Sequence, residues 1–356
     1  MLRPLRTTKG RLALLGLVAA AVVAVPTAIT MARPGAAEPE PPVVTRAPPP
    51  TTTTTTTAPP PPPAPLTGWP LPDEHVRGRP ALVVKVDNVP RARPQAGLAH
   101  ADVVIEERVE GNVTRFVAVF HSQDAPLVGP VRSARTTDLE LTSLLGRVLF
   151  ASSGGNSGVM AQIRGADLVD VGNNVSGRGF HRLGGRSAPH DLMASSGELR
   201  AKAPEQPGPP RPLFSYRAEG EPLHPLAFPL AGIRLAFGGA EISRFHWSPP
   251  HGIWQRWQSG TPHLDVDGVH LAPPNVVVLG IDYDHSGQLG RSVPHGILTG
   301  EGPAVVLTAG HAVEGRWVRF GLGDSLRLLA HDGSEIRLTP GQTFVALPPK
   351  GSWGYL

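Results

Sequence analysis

The rhythm of apolar positions changes several times along this chain, and each change marks an element or a boundary. Residues 12–32 form an uncharged run dominated by Leu, Ala and Val. At 1.5 Å per residue, a helix of that length spans ~30 Å, about one hydrocarbon core. From 34 to 66 the pattern gives way to Pro, Thr, Ala and Val, with a threonine run at 51–57 and a proline run at 59–63. A segment of this composition cannot bury a core, so an extended, polyproline-II-rich linker is expected. Fully stretched at ~3.1 Å per residue, it reaches ~100 Å.

The pattern tightens after residue 67. Residues 81–86, 102–106, 113–120 and 147–151 are short apolar runs that predict strands. Leu139, Leu141, Leu144 and Leu145 recur at roughly helical spacing behind Gly129-Pro130, which predicts a helix over 130–145 with Pro130 in its first turn. Shorter helices are expected near 158–164 and 191–202. Alternation of this kind predicts α/β with a mixed sheet. Pro204, Pro207, Pro209, Pro210 and Pro212 then break the pattern over 203–212, as at a domain boundary.

Beyond that break short strands dominate. Residues 275–281 read as a strand buried on both faces, and 304–307, 316–320, 325–329 and 343–347 as further strands. Asp267-Gly268 and Asp332-Gly333 lie between apolar runs, where hairpin turns are expected. The expected fold class is therefore α/β. A mixed-sheet N-terminal domain (67–203) precedes a smaller β-rich domain (213–356), behind a signal anchor or signal peptide (1–32) and a disordered Pro/Thr-rich linker (33–66).

Charge changes the picture in one respect. The whole chain carries a formal +4, but six basic residues and two acids fall before residue 67, which leaves 27 of each in the globular part. A basic footprint for nucleic acid is thereby excluded there. Arg3, Arg6, Lys9 and Arg11 precede the apolar run, so the rest of the chain is expected outside the cytoplasm. The leader reads either as an uncleaved anchor, with residues 12–32 in the membrane, or as a signal peptide cut near Ala28 or residues 30–32, which would release the protein. The chain has no cysteine, so neither lipid attachment at a lipobox cysteine nor a disulfide is available.

The densest chemistry lies in Gly129-Pro130-Val131-Arg132-Ser133-Ala134-Arg135. On the expected helix, Arg132 and Arg135 share a face, and two guanidinium forks could converge on one anion or on the protein's own acids. This block carries a family resemblance together with Val86-Asp87-Asn88, Arg93-Pro94-Gln95-Ala96-Gly97-Leu98, Thr114-Arg115-Phe116, Ala188-Pro189-His190, Asn275-Val276-Val277-Val278 and Leu338-Thr339-Pro340-Gly341-Gln342-Thr343. Over about 75–350 the chain resembles the YerB-like extracytoplasmic proteins. That resemblance implies a two-domain fold and an envelope location, and brings no assigned activity. Asn112 and Asp191 stand where the family tends to have Gly and Asn.

The candidate ligand-binding residues are Asp87, Asn88, Glu110, Arg115, Arg132, Arg135, Arg182 and His190, at expected strand ends and helix starts, where α/β sheets form crevices. Two readings stay open. The acids and arginines could neutralise one another, or one or two arginines could remain free for an anion. Ser152-Ser153-Gly154-Gly155-Asn156-Ser157-Gly158 could be an ordinary turn or an anion nest at a helix start; it is neither a Walker loop nor a nucleophile elbow. Gly323-Asp324-Ser325-Leu326 spells a hydrolase signature without its downstream partners, so a turn is expected. His181, His190 and His263 have no metal-ligand spacing, and no metal or cofactor is expected. Trp247, Trp254 and Trp257 could be core or a docking surface.

The function expected from these residues is extracytoplasmic binding or scaffolding in the cell envelope, without catalysis. Its partner would be an envelope protein or an anionic wall component. The alternative is a wall-directed hydrolase or transferase using a carboxylate with His190.

Overall fold

A computed structural model describes residues 61–239, 242–286 and 293–356. The apolar run at 12–32 and most of the linker lie outside the described residues. Among the described residues no helix is long and apolar enough to cross a membrane. The linker expected to extend to 66 gives way earlier to folded chain. Ala64 and Leu66 are buried, and Tyr216 donates its hydroxyl to the Leu66 carbonyl.

The first half runs α1 (Glu74–Gly78), β1 (Leu82–Asp87), β2 (Val103–Arg108), β3 (Thr114–Phe120), α2 (Thr137–Leu145), β4 (Leu149–Ala151), α3 (Ser157–Gly165), β5 (Val169–Asp170), β6 (Phe180–Arg182), β7 (Leu192–Ala194) and α4 (Ser196–Ala201). The second half starts with β8 (Phe228–Pro229), β9 (Gly232–Ala236), β10 (Ile242–Ser248), β11 (Ile253–Gln258) and β12 (Thr261–Pro262). It continues through β13 (Asn275–Leu279), β14 (Asp282–Asp284), β15 (His295–Ile297), β16 (Gly300–Thr308), β17 (His311–Arg319), β18 (Arg327–Ala330), β19 (Thr343–Leu347) and β20 (Trp353–Tyr355).

One mixed sheet unites the halves in the order β18-β17-β16-β13-β19-β2-β3-β1-β4-β5, with β8 on β17. The join is a parallel pair in which Thr343 to Leu347 of β19 lie opposite Val103 to Glu107 of β2. The Pro/Gly-rich stretch at 203–212 thus separates two stretches of sequence without interrupting the sheet. Strands β1, β3, β13 and β19 are buried along their whole length, which explains their near-continuous apolar character.

Both sheet faces are covered. On one, Leu141, Leu144 and Leu145 of α2 and Val159, Met160 and Ile163 of α3 pack with Val83, Ile105 and Val117. On the other, Phe237, with Ile233, Leu235, Phe245 and Trp254 of a second antiparallel sheet, meets Val84, Val104, Phe116 and Phe344. That second sheet runs β12-β11-β10-β9-β20. The result is a mixed α/β architecture with a β-rich second half.

Candidate functional site

Because side chains alternate along a strand, the ends of β1, β2 and β3 deliver two separate polar clusters, one to each face of the sheet. Lys85, Asp87, Glu107 and Arg115 share the face covered by α2. Asn88, Glu106 and Thr114 serve the face covered by the second sheet. These residues belong to adjacent strands in register: Asp87 lies opposite Arg115, and Glu107 opposite Arg115.

On the helix side, Lys85, Glu107 and Asp138 are fully buried together. The Lys85 ammonium lies 2.6 Å from Asp138 Oδ1 and bonds Glu107 Oε1. Burial pushes the Glu107 carboxyl up, Lys85 opposes the shift, and the Asp138 charge adds to it. Asp138 Oδ2 also accepts the Arg135 amide at 2.7 Å, just ahead of α2.

Glu110 gathers two arginines. Arg135 holds it with both fork nitrogens, its Nε at 2.6 Å from Oε2, and Arg115 Nη2 lies 3.3 Å from Oε1. Burial alone would raise the Glu110 carboxyl, but the Arg135 hydrogen bond and both positive charges bring it down to about 2. Arg115 is lowered to about 10, first by burial and then by the Arg135 charge. Arg115 also donates to the Ser133 carbonyl, so both arginines are committed to the protein itself.

Asp87 is different. Its side chain is 1% exposed, and two side-chain nitrogens converge on the single oxygen Oδ2: His190 Nδ1 at 2.8 Å and Arg132 Nε at 3.1 Å. The Arg132 side chain makes this ion pair and no hydrogen bond among the described residues, so its two terminal nitrogens stay open at the surface. His190 Nε2 is likewise unspent. The loop bearing His190 folds over this corner and is pinned by Arg186, which donates to the carbonyls of Ala92 and Pro94. From Val171 to His190 the sequence holds Arg178, His181, Arg182, Arg186 and His190, and no acid. Arg182 is exposed and paired with Asp191.

The opposite face is sealed. Arg256 is fully buried, lies 5.1–5.9 Å from the ring centroids of Phe116, Phe245 and Phe344, and pairs with Glu106 at 2.8 Å. Ser243 and Thr114 also donate to Glu106. Burial and the Arg256 charge hold the His263 imidazole well below its usual range, so it is neutral. A neutral ring accepts from Arg256 at Nδ1 and donates from Nε2 to Gln95, 2.8 Å away. Gln95 in turn donates to the Asp87 carbonyl and to Asn88 Oδ1, both at 3.0 Å. Asn88, expected beside Asp87 at the ligand site, belongs instead to this interior network.

The helix expected over 130–145 begins only at Thr137. Val131 bridges Val86, Arg132 N donates to the Lys85 carbonyl and Asp87 N to the Pro130 carbonyl, so this segment lies along β1 as extended chain. Arg132 and Arg135 therefore do not share a helix face; they reach Asp87 and Glu110 from an extended backbone. The stretch expected as helix over 191–202 splits into β7 and α4 because Leu192 and Ala194 pair with the 128–131 segment. The glycine-rich turn after β4 spends its amides internally: Ser153 N donates to the Arg132 carbonyl and Gly154 N to Ser152 Oγ. Asn156 caps α3. Trp254 is core, its ring tilted against that of Trp247 with centroids 5.0 Å apart. Sequence reasoning passed over Lys85, Gln95, Asp138 and Arg256 as site residues. A lone lysine inside Leu-Val-Val-Lys-Val-Asp was the available signal for the first; the others are marked by nothing local.

Comparison with known proteins gives a consistent answer. Residues 66–209 match the family described as protein of unknown function (DUF3048), N-terminal domain, and residues 233–345 match its C-terminal domain. The chain is 29% identical over 297 residues to the YerB protein of Bacillus subtilis (strain 168), which carries a provisional lipoprotein name; the match spans 80% of this chain and 86% of that protein. The crystal structure of YerB from Bacillus subtilis superposes with a TM-score of 0.70 at 24% identity, covering 83% of this chain and 99% of the other, which shows a shared fold.

Proposed function

We propose that this chain, which belongs to the DUF3048 family through both of its domains, is an extracytoplasmic binding protein of the cell envelope that captures an anionic wall component without chemistry of its own. The observation that carries the reading is the shared carboxylate. Arg132 meets Asp87 through Nε alone, on an oxygen it shares with His190 Nδ1, while Arg115 and Arg135 are spent on Glu110. Arg132 therefore keeps a guanidinium fork for a phosphate or carboxylate. The segment from Val171 to His190, which ends at the residue sharing Asp87 with Arg132, carries no acid of its own. The positive charges before the apolar run at 12–32 support attachment to the membrane with the globular part outside.

The test is titration of the protein with inorganic polyphosphate and with polyglutamate at several salt concentrations. Binding that weakens with salt and falls at least about tenfold in Arg132→Ala is expected, a loss on the scale of one charge-assisted contact. Equal binding by Arg132→Ala would remove the reading.

The Asp87–His190 pair favours a second reading, an enzyme in which an imidazole oriented by a carboxylate transfers a proton from Nε2. Complementation of a deletion strain with folded His190→Gln distinguishes the two. A binding protein keeps most of its function, whereas loss of a proton-transfer group lowers a rate by ~10²–10⁴.

A further inference from the structure

The turn between β17 and β18 presents Phe320 and Leu322 to solvent at 79% and 52% exposure. Phe320 is the most exposed large apolar side chain among the described residues. The turn is held firmly from beneath. Buried Arg319 donates to the Leu322 carbonyl at 2.6 Å and to the Asp324 carbonyl at 3.3 Å, and Arg211 donates to the Gly323 carbonyl at 2.6 Å. Asp324 N donates to the Gly321 carbonyl at 3.0 Å. Four successive carbonyls, 321 to 324, are thus satisfied inside the protein. A turn with its carbonyls tied down and its apolar side chains outward enters a lipid interface at lower cost, since unpaired backbone groups are costly there.

The tether arrives on the same side of the molecule. Pro63, Ala64 and Pro65, at the end of the linker, line a cavity of about 560 Å³ with Pro212, Phe214 and Ser215. The last three residues also line the adjoining cavity, whose far wall is Ser325 to Leu328. The strip Pro212 to Ser215 therefore separates the point where the linker enters from the foot of the Phe320 turn.

We propose that this turn is a membrane-contacting tip: Phe320 and Leu322 insert into the interfacial layer of the bilayer to which the chain is tethered. The inference rests on the membrane attachment proposed above. Two apolar side chains give weak affinity by themselves, and tethering makes that affinity sufficient by raising the local concentration of lipid. Asp324 and Arg327 are the exposed charges following the tip and offset one another, and the Arg211 guanidinium at its foot is tied to the Gly323 and Ser143 carbonyls, so the contact is mainly apolar and tolerant of salt.

Because the chain lacks cysteine, Leu322→Cys carries a single environment-sensitive label. The full chain is reconstituted in vesicles of phosphatidylglycerol and phosphatidylethanolamine, with Asp267→Cys, exposed on another turn, as the control. The label at 322 should be quenched by brominated lipid. It should also be at least about fivefold less accessible to iodide than the label at 267, at low and high salt alike, and Phe320→Ser should abolish the difference. Chain that floats with the vesicles while both labels remain equally open to iodide overturns the tip and leaves the attachment intact. Chain that does not float overturns both. Shielding from iodide without quenching by brominated lipid also overturns the proposal, because a protein surface then covers the turn.

Discussion

The two faces of the central sheet at the ends of β1, β2 and β3 use the same chemistry to opposite ends. On the second-sheet side, one carboxylate, Glu106, meets one guanidinium, Arg256, and neutral groups fill the remaining hydrogen bonds. On the helix side the groups are unevenly shared: Glu107 and Asp138 both meet Lys85, and Arg132 and His190 converge on Asp87. Matched pairing under three aromatic rings makes a structural lock. Uneven pairing at a partly open edge leaves the Arg132 terminal nitrogens without a protein partner among the described residues, which is what the proposed binding role draws on. The difference lies in stoichiometry and access, since adjacent residues of the same strands supply both clusters.

The largest effect should come from breaking the lock. Arg256→Met leaves Glu106 buried without its cation and should cost about 3–5 kcal/mol in urea unfolding, whereas Arg132→Ala should cost under about 1 kcal/mol because that side chain is partly in solvent. Equal losses would erase the distinction between the two faces.

Within the helix-side cluster, Lys85→Met should also lose about 3–5 kcal/mol, because it strands two carboxylates in the interior. Glu107→Gln should lose under about 1 kcal/mol, since burial already favours the neutral form of this group. Thermal unfolding of both variants checks the ordering; a Glu107→Gln loss matching that of Lys85→Met would mean that Glu107 is held as a carboxylate.

A smaller effect is expected from acid. Glu110 has a folded value of about 2 against an ordinary 4.5, so it favours the folded state above pH 4.5 and loses that contribution as pH falls from 4.5 toward 2. A third of the side chain is exposed, so the contribution is about 1–2 kcal/mol after allowance for solvent screening. Glu110→Gln should flatten the stability profile over that window, and an unchanged profile would assign the acid sensitivity elsewhere. The smallest effect is at Arg182, where an exposed pair with Asp191 should contribute no more than about 1 kcal/mol. If Arg182→Ala weakens polyanion binding while leaving stability unchanged, the open face extends to that loop.

Much of this organisation was legible in the residues alone. Strand periodicity located β1, β2, β3, β13 and β19, and the family motifs identified the chain's relatives. Balanced charge over the globular part was consistent with dense internal pairing. Asp87, Arg132, Arg135, Glu110 and His190 were also named together from the sequence, although the helix expected to carry the two arginines starts only at Thr137 and the set divides between Asp87 and Glu110.

Tertiary structure decided how that set is divided. Leu139 to Leu145 carry a helical rhythm, yet the segment before them pairs with β1, since hydrogen bonds to the Lys85 carbonyl and from the Asp87 amide outweigh local helix preference. Asn88 and Asp87 are neighbours in sequence and go to opposite faces, because a strand turns every second side chain over. The partnership of Glu106 with Arg256 spans 150 residues, and no local pattern encodes a contact made only when the second sheet closes over the first. The sequence by itself determined which residues are apolar, charged or strand-forming; which charge is spent and which stays free was decided only when the two halves joined into one sheet.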